Sequence, residues 1–501
     1  MNTMNRCIIA SLSLVFLHSC AQTGQPTKET FDKSNQKNVV FILSDDHRYD
    51  FMGFTGKVPF LETPNMDRMA NQGAHIKNAF VSTSLCSPSR ASILSGQYAH
   101  KHKVVDNQSL IPDGTVFFPS YLQEAGYQTG FIGKWHMGEH HFGVRPGFDF
   151  WASFKGQGKY FNPVINFNGE EKAHKDSAYV TDVLTDYALD FINSRDQEKP
   201  FFLYLSHKGV HADFKPAPRH LGRYENEEVA YPASMFPPNH DRSTVSSTEY
   251  NYEDLPNWVK AQRYSWHGVD HMYHGQISFE DFYKRYCETL LSVDESIGTV
   301  IEHLEKEGLL ENTIVIYMGD NGFSFGEHGL IDKRQAYEES MRVPLLAMGG
   351  GIPAGSQVEE VIQNIDIGPT VMDFAGVKTK PHMDGNSFKS LLFQETILWR
   401  DTVYYEYFWE RPFPQTPTVH AVRTSKYKFI RYHGVWDVNE LYDIENDPEE
   451  MINLIRDPAY KEVAIELRAS LFDWLAGTEG ESMPLKQDHG RRFDHRYKNT
   501  Y

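Results

Sequence analysis

Cysteine is scarce in this chain. There are four in 501 residues, Cys7, Cys20, Cys86 and Cys287. That excludes a disulfide framework, so stability has to come from the core and from any bound metal. After the first 20 residues no stretch reaches the ~18 continuous apolar residues of a membrane span, which excludes a later transmembrane helix. Positive charge is in deficit: 49 Lys and Arg stand against 67 Asp and Glu, a net charge of −18. Such a chain gains no long-range attraction for a polyanion, which argues against nucleic acid as a partner. An anionic substrate would have to be held by a local basic cluster working against the global field. No internal repeat and no long low-complexity run is present.

The length suits one large α/β domain plus a small one, and an apolar share of 40% is enough for a substantial core. Aromatics reach 14%, with 27 Tyr and 33 Phe; they serve either an aromatic core or a carbohydrate surface. Residues 1–20 read as an export signal, with Arg6 as the positive region and Ile8 to Leu17 as an apolar stretch too short to span a bilayer. Leu17-His18-Ser19-Cys20 resembles a bacterial lipobox, whose cysteine is lipidated; His18 departs from the usual small or apolar residue. Residues 21–37 are polar and fit a flexible tether. The expected location is the periplasm or cell envelope, with membrane contact only through a lipid anchor at Cys20.

Asn38 to Ser44, Thr129 to Ile132, Pro200 to Ser206 and Thr313 to Met318 are short apolar runs that suit buried parallel strands. Helical stretches alternate with them: Pro64 to Gln72, Val116 to Ala125, Tyr179 to Ser194 and Phe282 to Glu307. This alternation predicts an α/β fold, a large mostly parallel sheet sandwiched by helices, over residues 38–384. A polar cluster follows the C-terminal end of each run, where open α/β sheets place their active sites. Past Gly385 come Thr402 to Trp409, His420 to Thr424, Tyr427 to Tyr432 and Glu440 to Asp443, then a helix near Tyr460 to Leu475. Residues 385–501 are therefore expected to form a smaller antiparallel sheet with one helix, followed by a tail. Pro216 to Gly275 is irregular and is either a functional loop or a surface insertion. In it, Trp258, Tyr264 and Trp266 supply either a wall for stacking sugar rings or core packing. His267, His271 and His274 could mimic metal ligands, but their loop context favours substrate or surface roles.

Cys86-Ser87-Pro88-Ser89-Arg90 is the most informative stretch. Pro88 suits the first turn of a helix, so Cys86 sits at a helix start, where free N–H groups and the dipole collect anions. Arg90 returns to that end one turn later with a planar fork suited to sulfate or phosphate oxygens. Asp45, Asp46, Asp320 and Asn321 are hard oxygen ligands at two strand ends. Crowded carboxylates repel unless a cation neutralises them, and oxygen-only ligation suits Ca2+ or Mg2+ rather than structural zinc. Separately, Asp45-Asp46 also reads as a helix cap and Asp320-Asn321-Gly322 as a tight turn.

The C-x-P-S-R pattern resembles the signature of the formylglycine-dependent (type I) sulfatase family, of the alkaline-phosphatase-like superfamily. Gly126 to Gly138 resembles the second signature of that family and brings Lys134 and His136; strand alternation puts these two on one face. Gly322 to Pro344 resembles the segment that supplies an active-site lysine, here Lys333. In Ser206 to His211, the family position favours His211 over its competitor His207. The motifs run in family order from about Lys37 to Asp447 and look most like N-acetylglucosamine-6-sulfatases and bacterial polysaccharide sulfatases.

The resemblance implies that a formylglycine-generating enzyme oxidises Cys86 to Cα-formylglycine, whose hydrate is the nucleophile. It implies one Ca2+ held by Asp45, Asp46, Asp320, Asn321 and the residue-86 side chain. Arg90 and the ion would then hold sulfate oxygens, Asp320 would take the attacking proton, and His136 would be the base for elimination. His211 and Lys333 would serve the departing sugar oxygen, and the substrate would be a sulfated polysaccharide or its oligosaccharides. Two competitors remain: a phosphodiesterase or phosphonate monoester hydrolase of the same superfamily, and a non-catalytic sulfated-glycan-binding lipoprotein.

Overall fold

The computed structural model describes residues 36–138, 142–238 and 250–484. The expected export signal, Cys20 and nearly all of the expected tether lie outside the described residues, as does the expected tail. The strands, in chain order, are Asn38–Ser44 (β1), Ala74–Phe80 (β2), Gln128–Lys134 (β3), Phe150–Phe154 (β4), Val164–Phe167 (β5), Glu170–Ala173 (β6), Phe201–Ser206 (β7), Thr313–Gly319 (β8), Ser324–Phe325 (β9), Ile331–Asp332 (β10), Leu345–Gly349 (β11), Ser356–Gln363 (β12), Val403–Tyr407 (β13), Thr418–Arg423 (β14), Tyr427–His433 (β15) and Glu440–Asp443 (β16).

Ten of them form one sheet in the order β12-β2-β11-β8-β1-β7-β3-β4-β5-β6. Neighbours β8, β1, β7, β3 and β4 all run parallel. The predicted α/β sandwich is present, with the four expected strands adjacent at its centre. The sheet is mixed at its margins: β11 is antiparallel to β2 and β8, and β5 and β6 turn back antiparallel. The β5 and β6 margin carries no continuous apolar signature, and β6 reads Glu-Glu-Lys-Ala and is exposed throughout, whereas β11 reads Leu-Leu-Ala-Met-Gly and is buried through Met348.

The centre is buried on both faces because successive residues of β1 point to opposite sides. Val39, Phe41 and Leu43 enter one core, Val40 and Ile42 the other. The helices Pro64–Gln72, Val180–Ser194 and Phe279–Lys306 cover the second side. The last of these starts three residues before the predicted Phe282, because the Ser278 side chain accepts the Asp281 N–H at 3.0 Å and caps it. The other side takes the helices Cys86–Ser95, Phe118–Glu124 and Ile367–Phe374. The aromatic share is largely spent in these cores: Phe131 stacks on Trp151 at 4.7 Å, and Trp135 meets both edge-on.

Strands β13-β14-β15-β16 form the small antiparallel sheet. One face shares the main core through Tyr405, Tyr407, Val419 and Ile430. The other packs Val422, Phe429 and Leu441 against the helix Lys461–Gly477. A buried ionic network also joins this sheet to the main layer. Lys428 Nζ lies 2.8 Å from Glu338 Oε1 and 2.9 Å from Glu450 Oε1, and donates to the Ala336 carbonyl at 2.9 Å. Arg423 Nε reaches Glu338 Oε1 at 3.1 Å. A buried pair that loses one partner leaves an uncompensated charge. Lys428→Met should therefore destabilise the protein by about 3–5 kcal/mol, read as a fall in the urea midpoint; a loss under about 1 kcal/mol, the worth of an exposed pair, would contradict it.

Candidate active site

The parallel strands β8, β1, β7 and β3 end side by side, and the polar residues that follow them converge. Ser44 pairs with Gly319, which sets Asp45-Asp46 opposite Asp320-Asn321. The Asp320 N–H donates to the Ser44 carbonyl at 2.9 Å, and the Asp46 N–H to Asp320 Oδ1 at 3.0 Å. The three carboxylates can each place an oxygen within 4.8 Å of the others, and all are buried. Burial, reinforced by Asp45 and Asp320, pushes the Asp46 carboxyl up to about 7 against the pull of Lys333. Asp45 is buried too, but Lys134, His211, Arg90 and Lys333 together hold its carboxyl well below the usual range. Asn321 donates Nδ2 to Asp46 Oδ1 at 2.7 Å, while its buried Oδ1 has no hydrogen-bond partner. A desolvated amide oxygen without a donor, beside three carboxylates, fits a hard divalent cation and is costly otherwise.

Cys86 is the first residue of the helix Cys86–Ser95, and Leu85 before it is extended. The placement deduced from Pro88 holds. The Sγ donates to Asp45 Oδ1 at 3.3 Å and lies 3.3 Å from Lys333 Nζ. Burial pushes this thiol far above its ordinary range, and Asp45 adds to the effect. Unmodified, it would stay protonated and be a poor nucleophile at neutral pH. Arg90 crosses beneath: Nε donates to Asp320 Oδ2 at 2.9 Å and Nη1 to the Lys134 carbonyl at 2.7 Å, while Nη2 lies 2.8 Å from Asp320 Oδ2.

Lys134 and His136 both reach the site, though not by strand alternation. β3 ends at Lys134, and His136 lies beyond it with φ 61°. Gly133, at φ 108°, lets β3 touch β7; a Cβ there would stand 1.8 Å from the Ser206 carbonyl oxygen. Lys134 pairs with Asp45 and Lys333 with Asp46. His136 Nδ1 is 3.2 Å from Ser87 Oγ, and its Nε2 has no partner. Burial, then the charge of Lys134, lowers His136 well below its ordinary pKa, so the ring is neutral.

A cavity of about 210 Å³ opens over this floor, lined by Asp46, His136, His211 and Lys333. Of His207 and His211, it is His211 that faces it, with Nε2 4.0 Å from Asp46 Oδ2; His207 is buried and does not line it. Of the irregular segment, Trp266, His267 and Tyr273 are in the lining. Trp258 is a core residue against Tyr432, Tyr264 is exposed elsewhere, and His271 is on the surface. The His274 side chain is outside the described set.

Asp332, Arg334, Glu410 and Phe413 also stand in the walls, with Asn107, Gln108 and Gln157 among the rest of the lining. The first two flank Lys333 and were within sight of its motif; Glu410 and Phe413 had no local signal. Asp332 and Arg334 have φ of 92° and 89°. Such backbone costs about 1–3 kcal/mol per residue and persists where the surroundings enforce it.

The family model described as Sulfatase matches residues 37–377. The chain belongs to the sulfatase family. A second model, N-sulphoglucosamine sulphohydrolase, C-terminal, matches residues 326–476. An N-acetylglucosamine-6-O-sulfatase of Bacteroides thetaiotaomicron is 34% identical, over 92% of this chain and 89% of its own length. The human N-acetylglucosamine-6-sulfatase is 33% identical over 84% and 82%. A solved structure in complex with its substrate, D-glucosamine-2-N,6-O-disulfate, aligns with a TM-score of 0.81 at 31% identity, over 90% of this chain and all of that one. The phosphonate monoester hydrolase of Agrobacterium radiobacter aligns at 0.66 and 20% identity, over 88% and 96%; that likeness shows a shared fold. This sulfatase is a sulfuric ester hydrolase, which sets aside the non-catalytic reading.

Proposed function

We propose that this sulfatase removes the 6-O-sulfate from a terminal glucosamine residue of a sulfated polysaccharide or its oligosaccharides, with Cys86 converted to Cα-formylglycine and one Ca2+ bound. The carrying observation is the floor of the cavity, where Cys86 Sγ lies 3.3 Å from both Asp45 Oδ1 and Lys333 Nζ. The sugar assignment is supported by relatives that act on glucosamine 6-sulfates. Terminal action is supported by size: about 210 Å³ is below the ~300–1,000 Å³ of pockets that enclose drug-sized ligands, so one sugar enters and the rest of the glycan stays in solvent.

Asp45, Asp46, Asp320 and Asn321, with the residue-86 side chain, would hold the ion, which supplies charge stabilisation to sulfate oxygens. The formyl group would supply, as its hydrate, the attacking hydroxyl that a protonated thiol does not. Arg90 fixes Asp320 and adds positive charge under the sulfate. Asp320, which shares the carboxylate cluster beside residue 86, would take the proton of the attacking hydroxyl. The free Nε2 of neutral His136 accepts the proton that must leave when sulfate is expelled. Burial opposes the charge on Lys333, but Asp46 and its neighbours outweigh it and hold the ammonium protonated, so Nζ can donate to the leaving oxygen. His211 donates Nδ1–H to the Ala212 carbonyl at 2.5 Å, and burial, then the charge of Lys134, keeps the ring neutral, so its Nε2 faces the cavity as an acceptor and the donation to the leaving oxygen falls to Lys333. The sequence of Leu17 to Cys20 supports export with a lipid anchor, and no helix among the described residues is long and apolar enough to cross a membrane.

A panel of N-acetylglucosamine 6-sulfate, glucosamine N-sulfate, galactosamine 4-sulfate and algal oligosaccharides tests the assignment. Sulfate should be released from the 6-sulfated glucosamine. Turnover confined to aryl sulfates or phosphodiesters would sink it.

A further inference from the structure

The loop between β13 and β14 reaches the cavity from the small sheet, a layer that contributes none of the groups placed around the sulfate. Glu410 and Phe413 form a β-bridge in it, and the Phe413 N–H donates to the Glu410 carbonyl at 3.0 Å. The Glu410 carboxylate is buried and accepts from Arg334 Nε at 2.9 Å and from the Tyr407 hydroxyl at 3.0 Å. Arg334 Nη1 pairs with Asp332. The guanidinium carbon stands 3.9 Å from the centre of the Phe413 ring, and that ring is stacked with His267 at 5.0 Å. Two carboxylates thus fix the guanidinium in its plane and an aromatic ring fixes its face. Among the described residues, Nη2 makes no hydrogen bond.

We infer that Glu410 and Phe413 are positioning residues that hold Arg334, on the arch Asp332-Lys333-Arg334 whose lysine is separately tied to Asp46, against the sugar that bears the sulfate. The arch needs such a clamp, because Asp332 and Arg334 both hold a left-handed backbone that side chains disfavour. Arg334 Nη2, so held, recognises a sugar hydroxyl, whereas the sulfate is handled by groups on the other strand ends. The small sheet therefore selects the sugar and leaves the chemistry to the main sheet. This rests on the sulfated-sugar reading above.

Glu410→Gln, Glu410→Asp and Phe413→Leu in the full-length enzyme test it. Amide hydrogen exchange of Asp332 to Gln335 reads positioning without any substrate. It should quicken about tenfold in Glu410→Gln, equivalent to one lost factor of ten in the closed population, while exchange in Cys86–Ser95 stays unchanged. With N-acetylglucosamine 6-sulfate, KM should rise about tenfold and kcat stay within about threefold, the pattern of lost uniform binding. Glu410→Asp should recover part of the KM, Phe413→Leu should act in the direction of Glu410→Gln, and inorganic sulfate should keep its inhibition constant. Unchanged exchange overturns the positioning role. A loss in kcat alone, or equal weakening of inorganic sulfate, overturns the selection role. If the wild type instead cleaves a different sulfated sugar, the substrate assignment fails, and the same KM split is read on that sugar.

Discussion

Cys86→Ala should lower turnover by at least about 10⁴-fold, the scale seen when a nucleophile is deleted, while leaving the fold intact. The side chain is fully buried at the first helical residue, between Asp45 and Lys333. Removing one sulfur changes little packing, because the helix is held by its own ladder and by Ser87 and Arg90. Ser87 N–H donates to Asn107 Oδ1 at 3.0 Å, and Arg90 is anchored on Asp320. Cys86→Ser should lose nearly as much activity unless a serine-modifying enzyme is present, since a buried hydroxyl has no route to the aldehyde without one. Intact-mass analysis of the wild type should show the fixed deficit of the cysteine-to-formylglycine change. Full activity in either variant on a sulfated sugar would refute the assignment of residue 86.

Stripping the protein of metal should abolish turnover and lower its melting temperature, and calcium should restore both. Dialysed wild type should retain about one calcium per chain, the stoichiometry of one oxygen-lined site. The physical reason is the crowding of Asp45, Asp46 and Asp320 at 0–1% exposure, with Asn321 Oδ1 lacking a donor. At a calcium concentration of 100 times Kd, linkage adds about 2.7 kcal/mol to stability, which a melting curve reads without substrate. The pH dependence has a definite sign. Burial raises Asp46 to about 7, so below pH 7 a proton competes with the cation and calcium affinity should fall as the solution is acidified. Zinc bound stoichiometrically, or affinity that rises on acidification, would contradict the site.

Much of the site was legible because its residues follow strands buried on both faces. Val39 to Leu43 and Ile314 to Met318 are apolar throughout, so the carboxylates after them mark strand ends without any tertiary knowledge. Cys86 was legible because Pro88 and Arg90 are local to one helical turn. The sheet's outer strands were not, since β5 and β12 are half-exposed, β6 is exposed throughout, and none of the three carries an unbroken apolar run. The path to His136 was misjudged for a different reason. A period-two argument holds only inside a strand, and β3 stops at Lys134 before a left-handed turn.

By itself, then, the chain's order of residues determined the α/β class, the parallel centre, the carboxylate pairs and the cysteine at a helix start. All of these follow from local periodicity, helix-terminus chemistry and charge. Tertiary structure alone decided which aromatic became which: Trp266 lines the cavity, whereas Trp258 packs under Tyr432 in the core. It alone brought Glu410 to Arg334 across 76 residues and stacked Phe413 on His267. Such contacts depend on how the small sheet docks on the large one, and docking is governed by the summed shape of two buried faces, which no single segment encodes.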